Sequence, residues 1–170
     1  MNFHVDSKQL FQPLIIFSIM LFMVGCVSRV QFKQASTIMA PTIQRDEVVT
    51  ADVSAFRKTH VQRWDVVIFL RPFKTEDATE FWGMRVVGLP GESISITAEG
   101  VYADGKLLTQ PERIKDIRYL TGDELQPVVY PRTVPPKHYF VLGDNTAIAH
   151  DSRFWGVLHE SRIMGKVIGK

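Results

Sequence analysis

The sequence predicts a mostly β domain, a twisted and barrel-like sheet carried behind one N-terminal apolar segment. Three observations lead there. Short alternating or β-branched runs recur between turn signals after Val27, the pattern of strands with one buried face. Two dipeptides, Pro90-Gly91 and Asp104-Gly105, are turn formers of definite type. No segment after Val27 sustains a helical period.

Residues 1–9 form a short polar tail, and residues 10–27 ("LFQPLIIFSIMLFMVGCV") carry no charge. A helix of about 18 residues at about 1.5 Å each spans about 27 Å, close to the ~30 Å of a bilayer's hydrocarbon core. Pro13 falls in the first turn, where proline is tolerated. Three readings of the segment stand side by side: an uncleaved single-span anchor, a cleaved secretory signal, or a lipoprotein signal in which Cys26 becomes the acylated N-terminus. Gly25 suits the lipoprotein reading, and Met23 departs from it. A plain thiol in a membrane helix is the simpler account of Cys26. Lys8 and the amino terminus on one side balance Arg29 and Lys33 on the other, so charge alone does not set the orientation.

Residues 28–170 read as one domain. The strand candidates, in order, are "DEVVTADV", "DVVIFL", "MRVVGL", "SISI", "GVYADGKLL", "YFVLGD" and "IMGKVIG". Asp104-Gly105 predicts a type I′ hairpin, whose two central residues need positive φ. Pro90-Gly91 predicts a type II turn, with glycine supplying the positive φ. Phe73 to Phe81 and Gln110 to Lys137 are polar or proline-rich and read as loops, the second with one short strand. Closing the sheet on itself buries these strands without leaving long edges.

Composition narrows the function. The formal net charge is +2 and the basic residues are scattered, so no nucleic-acid footprint is expected. A single cysteine excludes an internal disulfide. The histidines (His4, His60, His138, His150, His159) lie too far apart in sequence for zinc-site spacing, and neither metal nor cofactor is expected.

Three stretches, "STIMAPTI" (Ser36 to Ile43), "MRVVGLPGE" (Met84 to Glu92) and "GDNTAIAHDSRFWG" (Gly143 to Gly156), together resemble the sequence boxes of the signal peptidase I family. "RWDVVIFLRP", "VPPKHYFVLGDN" and "RIMGKVIGK" support the resemblance, which covers nearly everything after Phe32. It implies a membrane-anchored serine protease fold with its β domain on the outer side of the cytoplasmic membrane. Such enzymes cut signal peptides after small residues, using a serine nucleophile and a lysine base. A serine hydroxyl needs a positioned base, and lysine serves only when desolvation lowers its pKa.

This chain departs from that pattern at each polar position. Ile38, ahead of Met39, Ala40, Pro41 and Thr42, occupies the place of the nucleophile. Met84, ahead of Arg85, occupies the place of the lysine. Ala149 stands where a serine usually orients that lysine. Apolar replacement of all three together is what relaxed chemistry on a retained scaffold would leave, because an unpaired buried lysine is costly. Asp151 and Arg153 match the third box and read as an ion pair bracing the loop. Positions expected to support the site or a bound peptide are Ser36, Met39, Pro41, Arg85, Asp144, Asn145, Asp151 and Arg153.

Ser36 matches the position whose hydroxyl supports the oxyanion, and Thr37 replaces a usual glycine. Alternation along an extended strand would turn Ser36 and Ile38 one way and Thr37 the other. With His150 beside Asp151 as base, Ser36 is the substitute nucleophile of a rewired peptidase. His150 reads more simply as an exposed loop residue. Phe81, Trp82, Phe154 and Trp155 are core candidates, with lipid contact the alternative for the tryptophans. The expectation is a membrane-anchored, catalytically silent member of the family. It would bind signal peptides or extended segments of exported proteins, at the membrane lipid, as an accessory to an active signal peptidase or a surface-assembly partner. The alternatives are the rewired Ser36 and His150 peptidase and a structural protein lipid-anchored through Cys26.

Overall fold

The alternating runs form strands where a period of two places them. The structure is a computed structural model and describes residues 28–71, 81–119 and 130–170. The apolar segment 10–27, with Cys26, lies outside these residues. Among the described residues no helix is long and apolar enough to cross a membrane.

Seven strands make the larger sheet. They are β1 (Arg29–Lys33), β2 (Val48–Asp52), β3 (Val66–Leu70), β4 (Phe81–Gly88), β9 (His138–Leu142), β10 (Leu158–His159) and β11 (Ile163–Gly169), in the order β1-β2-β11-β3-β4-β9-β10. The smaller sheet runs β7-β6-β5-β8, from β5 (Ser93–Thr97), β6 (Gly100–Ala103), β7 (Lys106–Leu107) and β8 (Arg132–Thr133). Every pairing is antiparallel, as hairpins and meanders require. Among the described residues helices are confined to single turns, α1 (Ala55–Lys58), α2 (Ser152–Trp155) and two short 3-10 segments.

Both predicted turns form. Asp104 (φ 50°) and Gly105 (φ 76°) join Ala103 to Lys106, the positive pair of a type I′ hairpin. At Pro90-Gly91, Gly91 has φ 90° and Glu92 N–H donates to Leu89 O at 3.2 Å. The short strand expected between Gln110 and Lys137 is β8. Strands β1 and β10 add to the predicted set: "RVQFK" alternates but is only five residues long and follows directly on the apolar segment, and "LH" is too short to carry a period.

The large sheet curls. Although β1 and β4 are four places apart in the strand order, the rings of Phe32 and Phe81 meet edge to face at 5.5 Å. Two apolar layers result. Val67, Phe69, Met84, Val86, Val141 and Leu158 fill one, and Met39, Ile43, Val49 and Val66 fill the other. A third cluster, around Val87, Ile94, Val134 and Phe140, joins the two sheets. There a Cβ on Gly88 would stand 2.8 Å from both Ile94 and Phe140, so only glycine lets the strands approach so closely. Trp82 and Trp155 are half-buried against the first layer, their rings 6.5 and 6.3 Å from that of Phe69, which places both in the packed wall.

One expectation needs correction. Ser36 to Ile38 do not lie on an extended strand, because β1 ends at Lys33 and the chain then turns. Ala40 N–H donates to Thr37 O at 3.0 Å and Ile43 N–H to Met39 O at 2.9 Å. The proline at position 41 interrupts any ladder, so local turn bonds replace strand pairing. Even so, Ser36 and Ile38 are half-buried while Thr37 is exposed.

Candidate functional site

Three segments far apart in sequence converge at the middle of β4. The turn after β1 supplies Ser36 to Thr42, β4 supplies Met84 and Arg85, and the loop after β9 supplies Gly143 to Arg153. Packing and hydrogen bonds hold them in a fixed relation.

The first lock is backbone to backbone. Asn145 N–H donates to Ile38 O at 2.9 Å, and Asn145 Nδ2 donates to Thr37 O at 3.2 Å. Gly143 makes this approach possible. A Cβ there would lie 2.8 Å from Ile38 O and 2.4 Å from the Ala149 methyl group. Ala149, almost wholly buried, is thus packed on the same glycine that Ile38 touches.

The second lock is a buried ion pair. Arg85 and Asp144 are joined by Nε to Oδ1 at 2.8 Å and Nη2 to Oδ2 at 2.5 Å, with side chains 1% and 0% exposed. Tyr119 Oη donates to Asp144 Oδ1 at 2.6 Å, and Thr42 Oγ1 donates to Oδ2. Arg85 Nη1 also donates to Trp64 O at 2.9 Å. Burial alone would lower the Arg85 pKa, but the hydrogen bonds and charge of Asp144 outweigh it and hold the guanidinium above its ordinary value. Tyr119 is pushed far up by burial and by the neighbouring Asp144 charge, so its hydroxyl remains a donor.

The third lock is Asp151 with Arg153, which the sequence reads as a brace. The pair is bidentate, Nε to Oδ1 at 2.8 Å and Nη2 to Oδ2 at 2.9 Å. Arg153 also donates to Thr146 O at 2.8 Å, and Asp151 accepts from Gly143 N–H at 3.0 Å. Asp151 therefore ties α2 to the glycine that meets Ile38. Burial pushes its carboxyl up, against the lowering influence of Arg153.

Inside these locks Ile38, Met84 and Ala149 are apolar and close-packed. Met84 is 0% exposed, and Ile38 packs on the cluster around it as well as on the layer of Met39 and Ile43. Met39 is fully buried under the turn, whereas Pro41 is exposed. A cavity of about 380 Å³ opens beside the turn, between Pro41, Asn145 and Ala147 on one side and Asp116 and Arg118 on the other.

Ser36 and His150 are engaged elsewhere. Gln34 Nε2 donates to Ser36 Oγ at 3.2 Å and to Ser36 O at 3.1 Å. His150 is exposed, its ring stacked at 4.9 Å on Phe154, and its carbonyl accepts from Trp155 Nε1 at 3.0 Å.

Four further residues belong to this constellation. Thr42 and Gly143 stand inside the recognised boxes, where their contacts depend on the partner segment. Tyr119 lies in a polar stretch and Gln34 at a strand end, and neither carries a local signal.

A β domain with these boxes brought together is that of a signal peptidase-type protein. The family described as "signal peptidase, peptidase S26" matches residues 7–169, and the chain belongs to it. It is 31% identical over 144 residues to signal peptidase I V of Bacillus subtilis, covering 81% of this chain and 83% of that one. It is 27% identical over 159 residues to signal peptidase IB of Staphylococcus aureus, covering 88% of this chain and 81% of the relative. Among solved structures, the crystal structure of a signal peptidase I from Enterococcus faecalis is similar with a TM-score of 0.50 and 26% identity. That match covers 65% of this chain and 98% of the other.

Proposed function

We propose that this chain is a catalytically silent signal peptidase relative that binds extended segments of exported proteins, including signal peptides, without cutting them. It is anchored through residues 10–27 in the cytoplasmic membrane with the β domain outside. There it serves as an accessory to an active peptidase or to surface assembly. The observation that carries the reading is the packing of Ile38 on the cluster that encloses Met84: an apolar contact stands where the chemistry needs a nucleophile and a base. Asp144, Asp151 and their arginines support that geometry without any lysine or serine to position.

The backbone remains suited to a strand-like ligand. Ser28 O accepts from Val53 N–H at 2.7 Å and Gln34 N–H donates to Glu47 O at 2.8 Å, so even-numbered residues of β1 bond towards β2. Gln31, Lys33 and Ala35 therefore turn their N–H and C=O groups to the open edge. On β4, Val86 bonds towards β3 through Trp64 N–H and Asp65 O, which turns the backbone of Gly83 and Phe81 the other way. Strand β9 covers that side only from Arg85 onward, so among the described residues Phe81 and Gly83 have no strand partner there. An extended peptide can add to such edges through main-chain hydrogen bonds, which need none of the catalytic groups.

The test is incubation of the full-length protein in detergent with a preprotein carrying a small-residue cleavage site, following cleavage and binding together. Binding without cleavage is expected. Cleavage abolished by Ser36→Ala but not by Ile38→Ala would replace this reading with the rewired peptidase.

A further inference from the structure

Gln34 spans the space between the two open edges. Its backbone closes the β1–β2 ladder, with N–H donating to Glu47 O at 2.8 Å and C=O accepting from Asp46 N–H at 2.7 Å. Its side chain runs inward, and its Oε1 would lie 3.9 Å from a Cβ on Gly83 of β4. Both Gln34 and Ser36 are half-buried, so a ligand between the edges can reach them.

The amide orientation follows from chemistry. The carbonyl of Ser36 can only accept, so the atom facing it at 3.1 Å must be the amide nitrogen. That nitrogen has two hydrogens, and the second points to Ser36 Oγ at 3.2 Å. The hydroxyl is thereby fixed as an acceptor towards Gln34, and its own proton must point elsewhere. No described residue accepts from it. A hydroxyl held in this way beside an open edge is a donor waiting for an acceptor, and an extended peptide supplies one at every carbonyl.

We propose that Gln34 is a positioning residue that aims the Ser36 hydroxyl at a main-chain carbonyl of the bound peptide, making the pair a carbonyl clamp for ground-state binding. The proposal rests on the reading of this chain as a binder of extended peptides. The ligand class it implies is a peptide recognised through its backbone at this point, with no side-chain requirement imposed by the clamp. No bond is made or broken. With Ile38 and Met84 in place of a nucleophile and base, a donor that would otherwise stabilise developing charge holds a neutral carbonyl instead.

Fluorescence anisotropy with a labelled preprotein segment and the full-length protein in detergent tests this. Ser36→Ala should weaken binding about threefold to tenfold, the worth of one hydrogen bond. Gln34→Ala should weaken it comparably and add nothing in the Ser36→Ala background. Gln34→Glu keeps the length but draws the hydroxyl proton to its own carboxylate, and should weaken binding at least as much as Gln34→Ala. A peptide series with single amide-to-ester replacements, each weakening one carbonyl acceptor, should show one position whose penalty disappears in Ser36→Ala. Undiminished binding by a folded Gln34→Ala protein, beside a wild type that binds, would overturn the clamp and leave peptide binding standing. A wild type that binds no such segment would remove both.

Discussion

Replacing Asp144 by asparagine should be the most damaging single change near the site. The carboxylate accepts four hydrogen bonds, two from Arg85 and one each from Tyr119 and Thr42, and its side chain is 0% exposed. Asparagine keeps the volume but removes the charge and turns one acceptor into a donor facing Arg85 Nη2 and Thr42. Arg85, 1% exposed, is then a buried cation without a counter-ion. Breaking one side of a buried pair costs about 3–5 kcal/mol, and the weakened hydroxyl bonds place this case at the upper end of that range. Urea unfolding of the full-length protein in detergent, followed by tryptophan fluorescence, should show a loss of about 4–5 kcal/mol with an unchanged slope. Arg85→Met with Asp144→Leu should recover much of that loss, because an apolar pair of similar volume avoids desolvating either charge. A loss below about 1 kcal/mol for Asp144→Asn would refute the argument, since only an exposed pair is worth so little.

Gly143→Ala should lower the thermal midpoint and weaken the Asn145 to Ile38 backbone bond, because its methyl group would fall 2.4 Å from the Ala149 Cβ. Overpacking of this kind costs about 1–3 kcal/mol, read by thermal unfolding. Met84→Lys alone should be strongly destabilising, since the ammonium would enter a fully buried apolar cluster. Ile38→Ser combined with Met84→Lys should restore slow cleavage of a preprotein in a gel assay, and complete inactivity of a folded double variant would count against the groove. All four tyrosines are held above the ordinary phenol value. A hydrogen bond to Glu99 does this for Tyr102, and burial does it for Tyr119, Tyr139 and Tyr130, the last to about 12. A raised folded value means stability is intact below the unfolded pKa near 10 and is lost as pH rises through the folded values. Absorbance at alkaline pH should therefore show the tyrosinates of the buried Tyr119 and Tyr130 appearing together with unfolding, and titration of all four tyrosines near pH 10 in the native protein would contradict this.

Apart from β1 and β10, the main strands, the two turns and the family boxes were legible in the sequence because each rests on local chemistry. Alternation sets the faces of "DVVIFL" and "SISI", and positive φ at Gly91 and Gly105 follows from turn geometry. The apolar character of Ile38, Met84 and Ala149 is likewise a property of single residues in recognisable surroundings. Tertiary structure alone decided what those residues touch. Thr42 meets Asp144 across 102 positions of sequence and Arg85 meets it across 59. Tyr119 joins them from a stretch with no periodic signal. Contacts of this reach depend on the curl of the sheet and on which strands stop early, and no local pattern encodes either. Gln34 makes the same point at short range. Its bonds to Ser36 span two residues, yet they matter only because β4 ends its pairing with β9 at Arg85 and leaves an open edge opposite.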